Sequence, residues 1–217
     1  MTQKTKVFSL FSLLMLFLIL TGCAAKLERS YPERNYYILN VSNTNVNSST
    51  ASDGILEIRR FTTSPNFTTR EFVYRKGDLS YVSDFYNQFF RPPGMLITEE
   101  TRKWLSESGL FKYVLDSSNS ARPDYVLEGN VNELYGDYRA SGTPKAVLGI
   151  QFFLIDEIYS NSRIIFQKNY HGEVALKNNS PETLVEGWNN ALGQILTDLK
   201  EDLMKLNLTK SQSDNEV

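Results

Sequence analysis

The chain has 217 residues, 23 Lys/Arg against 25 Asp/Glu, a formal net charge of −2, and 41% apolar and 12% aromatic residues. With no Lys/Arg-rich stripe, it has nothing to attract nucleic acid, while the apolar share suits one globular domain with a proper core. A single cysteine excludes an intrachain disulfide, and a single histidine excludes the paired-histidine metal sites and the commonest acid–base pairings.

The first element is a leader. Lys4 and Lys6 precede an apolar run over 7–20, interrupted only by Ser9 and Ser12. At about 14 residues it is shorter than the roughly 20 of a spanning helix, and it lacks the polar side of a buried amphipathic one. It reads as a secretory signal. In "FLILTGCAA" (17–25), Leu20, Thr21, Gly22 and Cys23 resemble the bacterial lipobox, whose cysteine thiol takes a thioether-linked diacylglycerol and becomes the mature N-terminus. The likeness implies a covalent lipid, palmitate-type chains on Cys23, and no other cofactor. Several chains at about 0.8 kcal/mol per buried methylene make a stable anchor. Ala24 stands where an aspartate typically retains lipoproteins in the inner membrane, which implies the outer membrane and its periplasmic face. Loss of Lys4 and Lys6 with the leader takes the formal charge two units lower, to −4.

The expected organisation is a signal peptide over 1–22, a lipidated cysteine and polar tether over 23–54, a folded domain over 55–208 and a disordered tail over 209–217. "YYIL" (36–39) is a short strand candidate inside the tether. The Asn/Ser/Thr-rich stretch 40–54 favours turns or disorder. "ILEIRRF" (55–61) alternates as a half-buried strand does, and "EFVYRKGDLSYVSD" (71–84) reads as a hairpin around Lys76-Gly77-Asp78. A helix is expected within 95–109, with Thr98 as its cap, Glu99 and Glu100 at its positive end and Gly109 as its stop. "FKYVLD" (111–116) is another strand.

Three long β-prone runs follow over 124–139, 145–159 and 163–177. In the last, Ile164, Phe166, Tyr170, Val174 and Leu176 share one face, and Gln167, Asn169, His171 and Glu173 the other, as in a meander covered on one side. Ser180-Pro181-Glu182 opens a long helix with Leu184, Trp188, Ala191, Leu192, Ile195, Leu199, Leu203 and Leu206 on one apolar stripe. The fold expected is α+β, a mainly antiparallel sheet with long hairpins and two helices packed on one face.

Catalytic chemistry is hard to assemble from these residues. His171 has no cysteine or second histidine to work with and reads as an exposed, structurally neutral residue. Asp156 and Glu157 point to opposite faces of a strand, and no nucleophile elbow, zinc-binding helix or phosphate loop is present. No catalytic residue and no metal site is expected. What stands out is "VSDFYNQFFRPPGMLI" (82–97), where Phe85, Tyr86, Phe89, Phe90, Met95 and Leu96 crowd one connection. These side chains either anchor that connection in the core or form a lip that touches a partner or lipid.

Residues 72–115, with Tyr74-Arg75, Tyr81, Phe85-Tyr86, Phe89, Pro92-Pro93, Trp104-Leu105 and Gly109-Leu110-Phe111, resemble the ABC-type transport auxiliary lipoprotein family, which includes the PqiC-type lipoproteins. The family often has tryptophan where Phe89 or Phe90 stands. The resemblance implies a non-enzymatic outer-membrane lipoprotein that docks or completes the periplasmic conduit of an ABC/MCE-type lipid transport system. It also implies a permease, an ATPase and an MCE-domain protein as partners, a phospholipid-like cargo and a self-associating chain. The rival reading is a periplasm-facing lipoprotein module that regulates cell-wall synthesis.

Overall fold

The elements run in the order β1 (Asn35–Tyr37), β2 (Ser52–Ile58), β3 (Thr62–Thr63), a 3-10 turn (Pro65–Phe67), β4 (Glu71–Arg75), β5 (Tyr81–Phe89), α1 (Pro93–Glu107), β6 (Phe111–Asp116), β7 (Tyr125–Asp137), β8 (Lys145–Asp156), β9 (Arg163–Ala175) and α2 (Pro181–Met204). They come from a computed structural model that describes residues 33–42, 52–139, 143–158, 161–206 and 208. The residues from Arg34 onward form one unit. The lipobox residues Leu20, Thr21, Gly22 and Cys23, the signal peptide and the tail over 209–217 lie outside the described residues.

The fold is α+β, with a nine-stranded sheet whose spine is β7. One flank of β7 pairs with β8 along its whole length, and β8 with β9, both antiparallel. The other flank is shared: β2 pairs at Tyr125–Leu127, β3 at Asn130 and Val131, and β4 at Gly136 and Asp137, all parallel. Hence the sheet is mixed, its long hairpins antiparallel as expected and the short strands along β7 parallel. Three short strands follow one another along a single long one, each running its way, and β2–β6 and β1–β5 are parallel too. The hairpins β4–β5, β7–β8 and β8–β9 are antiparallel as expected.

Alternation decides which side chains the helices cover. Leu56 and Ile58 of β2 are buried, and so is Tyr170 of β9, whereas Ile164 near the start of β9 is exposed. A register shift separates Ile164 from Phe166, so this end of the strand does not follow the pattern of the rest. Helix α2 behaves as its stripe demands. Leu184, Trp188, Ala191, Leu192, Ile195, Leu199 and Leu203 are buried, and Val185, Gly187 and Leu196 widen the covered face. The Ser180 side chain accepts from the Thr183 N–H at 3.2 Å and Pro181 occupies the first turn, satisfying a helix start in the expected way. A Cβ at Gly187 would sit 2.6 Å from the Ala146 Cβ, so glycine lets α2 lie close on β8.

Helix α1 begins earlier than expected, at Pro93. Thr98 is therefore inside it and is not its cap: the hydroxyl donates to the Gly94 carbonyl at 2.6 Å and accepts from the Phe61 N–H at 3.0 Å. Gly109 does end it, with φ at 68°, a conformation open to glycine. The ordered chain also starts ahead of Ile55. Leu39 and Val41 are buried in the core, Asn40 N–H donates to Asn189 and Val41 N–H to Glu100 at 2.7 Å. The β1 segment thus belongs to the fold that the polar stretch after it seemed to postpone.

Candidate functional site

The aromatic stretch is a strand before it is a connection. Between β4 and β5 the register passes from Phe72↔Asp84 to Glu71↔Gln88, so residues 85–87 have no opposite number on β4. Such a bulge bends a strand and re-aims its side chains. Asp84 holds it in shape: its carboxylate accepts from the N–H groups of Tyr86 (2.9 Å) and Asn87 (3.1 Å), the Asn87 side-chain amide (2.8 Å) and the Tyr74 hydroxyl (2.9 Å). Burial pushes the Asp84 carboxyl up, but the donors from Asn87, Tyr74 and the backbone outweigh it and hold it below its ordinary 3.8.

Because the folded value is depressed, Asp84 adds stability above its ordinary value, and that contribution is lost as pH falls through the lower folded one. Asp84→Ala removes the acceptor of all four donors and leaves the half-buried Tyr74 hydroxyl unpaired. The expected cost is about 1–3 kcal/mol, with faster amide exchange at residues 85–87. Unchanged exchange there would show that the bulge does not depend on the carboxylate.

The bulge separates the residues that the sequence grouped. Phe89 is 1% exposed, with its ring 4.8 Å from Phe72 and 5.2 Å from Trp188. It is core. Phe85, Tyr86 and Phe90 are 54%, 43% and 57% exposed, and Met95 is half-buried on the first turn of α1. So the structure brings Phe85, Tyr86 and Phe90 to the surface and withdraws Phe89 from it.

Residues the sequence did not single out complete this surface. β1 lies beside the bulge, with Asn35↔Asn87 and Tyr36↔Gln88 in register, at one edge of the sheet. Tyr37 turns inward: burial and a 2.7 Å hydrogen bond to Glu182 push its hydroxyl up to about 12. Tyr36 and Ile38, its neighbours of opposite parity, are exposed, and Tyr36 meets Phe90 edge to face at 6.3 Å. Arg34 lies over the Phe85 ring at 3.9 Å and Arg70 over Tyr36 at 5.8 Å, in cation–π contact. Strand alternation in "NYYIL" was the signal for Tyr36 and Ile38. No short-range pattern pointed to Arg34 or Arg70, which the fold brings in from different strand ends.

On the sheet face away from the helices sits a charged cluster. A register shift at Val131/Glu133 sets Glu133 opposite Gly149, and Gly149 opposite His171. With no side chain at Gly149, the Glu133 carboxylate and the His171 imidazole meet over it at 2.7 Å, and Glu173 approaches the other ring nitrogen at 3.2 Å. His171 is exposed, as expected, but it is not structurally neutral. Burial lowers its pKa, yet the hydrogen bonds it makes to Glu173 and Glu133 outweigh this and raise it above 6.5.

That shift supports folding fully below 6.5 and is lost as pH rises through the higher folded value. Since His171 is the chain's single histidine, one proton resonance should titrate with a midpoint above 6.5. It should return toward that value in Glu133→Gln. A midpoint at or below 6.5 in the unmutated chain would contradict the pairing.

Beside this cluster, Asn66, Phe67, Val73, Tyr81, Asn132, Glu133 and Tyr135 line a cleft of about 420 Å³. A second groove, about 560 Å³, runs between residues 40–42 and α2 and is faced by Asn189, Asn190, Gln194, Thr197 and Asp198. Among the described residues no group of His, Cys, Asp and Glu is arranged to hold a metal ion, and no helix is long and apolar enough to cross a membrane. Asp156 and Glu157 are committed separately, Asp156 facing Arg163 at 3.7 Å and Glu157 accepting from Ser162.

The arrangement defines an α+β domain with an aromatic, arginine-bordered edge and a separate polar face. No family model matches the chain, and no curated protein matches it in sequence. Solved structures share the fold. A Xanthomonas campestris protein assigned to DUF330 superposes with a TM-score of 0.68 at 15% identity, over 76% of this chain and 92% of its own. An uncharacterized protein follows at 0.62 and 14% identity, over 79% of this chain and 99% of its own. A hypothetical protein of Chlamydia trachomatis gives 0.51 at 8% identity, over 70% and 98%. At these identities the likeness is one of fold.

Proposed function

We propose that the chain is a lipoprotein anchored through Cys23 in the outer membrane, facing the periplasm. In this reading it serves, without catalysis, as an auxiliary component of an ABC/MCE-type lipid transport system, docking or completing the conduit between the membranes. The lipobox-like Leu20-Thr21-Gly22-Cys23 supports the anchor. The observation that carries the role is the build of residues 72–115. The stretch that resembles the transport auxiliary lipoproteins spends Phe89, Trp104 and Leu105 on the core and puts Phe85, Tyr86 and Phe90 outside. Exposed aromatics on a strand suit contact with a partner or with the membrane where the conduit docks. The MCE-domain partner and the phospholipid-like cargo come from the resemblance, as does self-association of the chain.

The test is crosslinking in cells from photoreactive groups spread over exposed positions of the sheet and helices, read by mass spectrometry. The expected capture is an MCE-domain protein. Recovery of cell-wall synthases, with no MCE component in a strain that expresses one, would overturn the assignment in favour of the cell-wall reading. Phospholipid co-purifying with the protein would argue for direct transfer, and its absence for docking alone.

A further inference from the structure

We infer that the edge built from β1 and the β5 bulge lies on the bilayer that holds the Cys23 acyl chains. Its aromatic side chains then sit at headgroup depth and its arginines on the phosphates of anionic phospholipids. This deepens the anchor reading above and rests on it. Three observations carry it.

The first is composition. Tyr36, Ile38, Phe85, Tyr86 and Phe90 are all exposed on one connected surface, since β1 is in register with residues 87–89 and Tyr36 packs on Phe90. Tyrosine and other amphipathic side chains are favoured at the level of the headgroups, where one end of the ring is apolar and the other wet.

The second is charge. Arg34 and Arg70 border this surface, stacked on Phe85 and Tyr36, and the exposed Arg91 follows Phe90. Of the nearby carboxylates, Asp84 is occupied by the bulge donors and Glu182 by the Tyr37 hydroxyl, Glu71 lies close to Arg70 and Arg34, and the exposed Glu33 adjoins Arg34 in sequence. The charges laid over the exposed rings are thus arginines. An anionic leaflet attracts these guanidinium groups.

The third is reach. Residues 24–34 are all the chain between the acylated cysteine and β1. Fully stretched they span at most about 40 Å, so the anchor leads into this edge and keeps it within that distance of the lipid.

The experiment uses the full mature lipoprotein, purified from membranes and reconstituted in phosphatidylethanolamine vesicles with phosphatidylglycerol. The vesicles carry a phospholipid with a photoactivatable group close to the headgroup. After illumination, lipid adducts are mapped by mass spectrometry, and the same spectra read the acyl mass on Cys23. Adducts are expected in residues 34–38 and 85–91. They should be lost in a Phe85→Ser, Phe90→Ser variant that keeps its melting temperature, because both side chains are exposed. Arg34→Gln with Arg91→Gln should reduce adducts in the phosphatidylglycerol vesicles and leave those in pure phosphatidylethanolamine unchanged. An acylated Cys23 with adducts confined to other surfaces, or with this edge crosslinked instead to a second copy, overturns the orientation while leaving the anchor intact. An unacylated Cys23 overturns the anchor itself.

Discussion

Trp188→Ala is expected to lower the unfolding free energy by about 3–5 kcal/mol and the melting temperature by roughly 6–20 °C. Trp188 is fully buried, with its ring 5.0 Å from Phe72 and 5.2 Å from Phe89, and its indole N–H donates to the Val147 carbonyl at 3.2 Å. It joins α2 to β4, β5 and β8 at once, so its removal opens a cavity bordered by three strands and takes a donor from the Val147 carbonyl. Leu192→Ala and Leu199→Ala, both fully buried, should each cost about 2–5 kcal/mol for the same reason. Glu186→Ala, on the exposed side of the helix, should stay within about 0.5 kcal/mol. Thermal and urea unfolding measure all four. Leucine variants that melt with the unmutated protein would show that the stripe is not what holds α2 to the sheet.

The second large effect is on location. Cys23→Ser should abolish incorporation of a labelled fatty acid and leave the protein either uncleaved or released, because a hydroxyl cannot form the thioether. Label retained on the serine variant would sink the anchor. Ala24→Asp should keep the label and shift the protein to the inner membrane on density fractionation. An unchanged outer-membrane position would remove the basis for the proposed localisation.

Period and punctuation carried much of the fold into the sequence. The stripe of α2, the Ser180-Pro181 start, the Gly109 stop and the three long strands all follow from local patterns, and each stands where expected. What local pattern does not encode is pairing between distant strands. That β2, β3 and β4 line up along one flank of β7 is a tertiary arrangement, and it made the sheet mixed. Thr98 looked like a cap because threonine before two glutamates usually is one, but the Pro92-Pro93 pair started the helix more than a turn earlier. The candidate surface was half legible. Phe85, Tyr86 and Phe90 stood out as aromatics, yet only the bulge at Asp84 decides that they face outward while Phe89 faces in. The same holds for His171, whose partner Glu133 reaches it only because a register shift and Gly149 leave the path clear.

The short segment from Tyr37 to Val41 also has a mechanical meaning. It is held by the β1–β5 ladder, by Tyr37 on Glu182 and Asn40 on Asn189 in α2, and by Val41 on Glu100 in α1, with Leu39 and Val41 sunk between them. A chain pulled from its N-terminus therefore delivers tension to both helices and to the sheet edge together, before any of it reaches β2. Load spread over parallel bonds resists as a group, where a lone edge strand would peel one bond at a time. Pulled between its ends in a force spectrometer, the protein should rupture at lower force once Glu182 and Asn189 are both alanine. The segment works as a strain relief, like the clamp where a cable enters its plug.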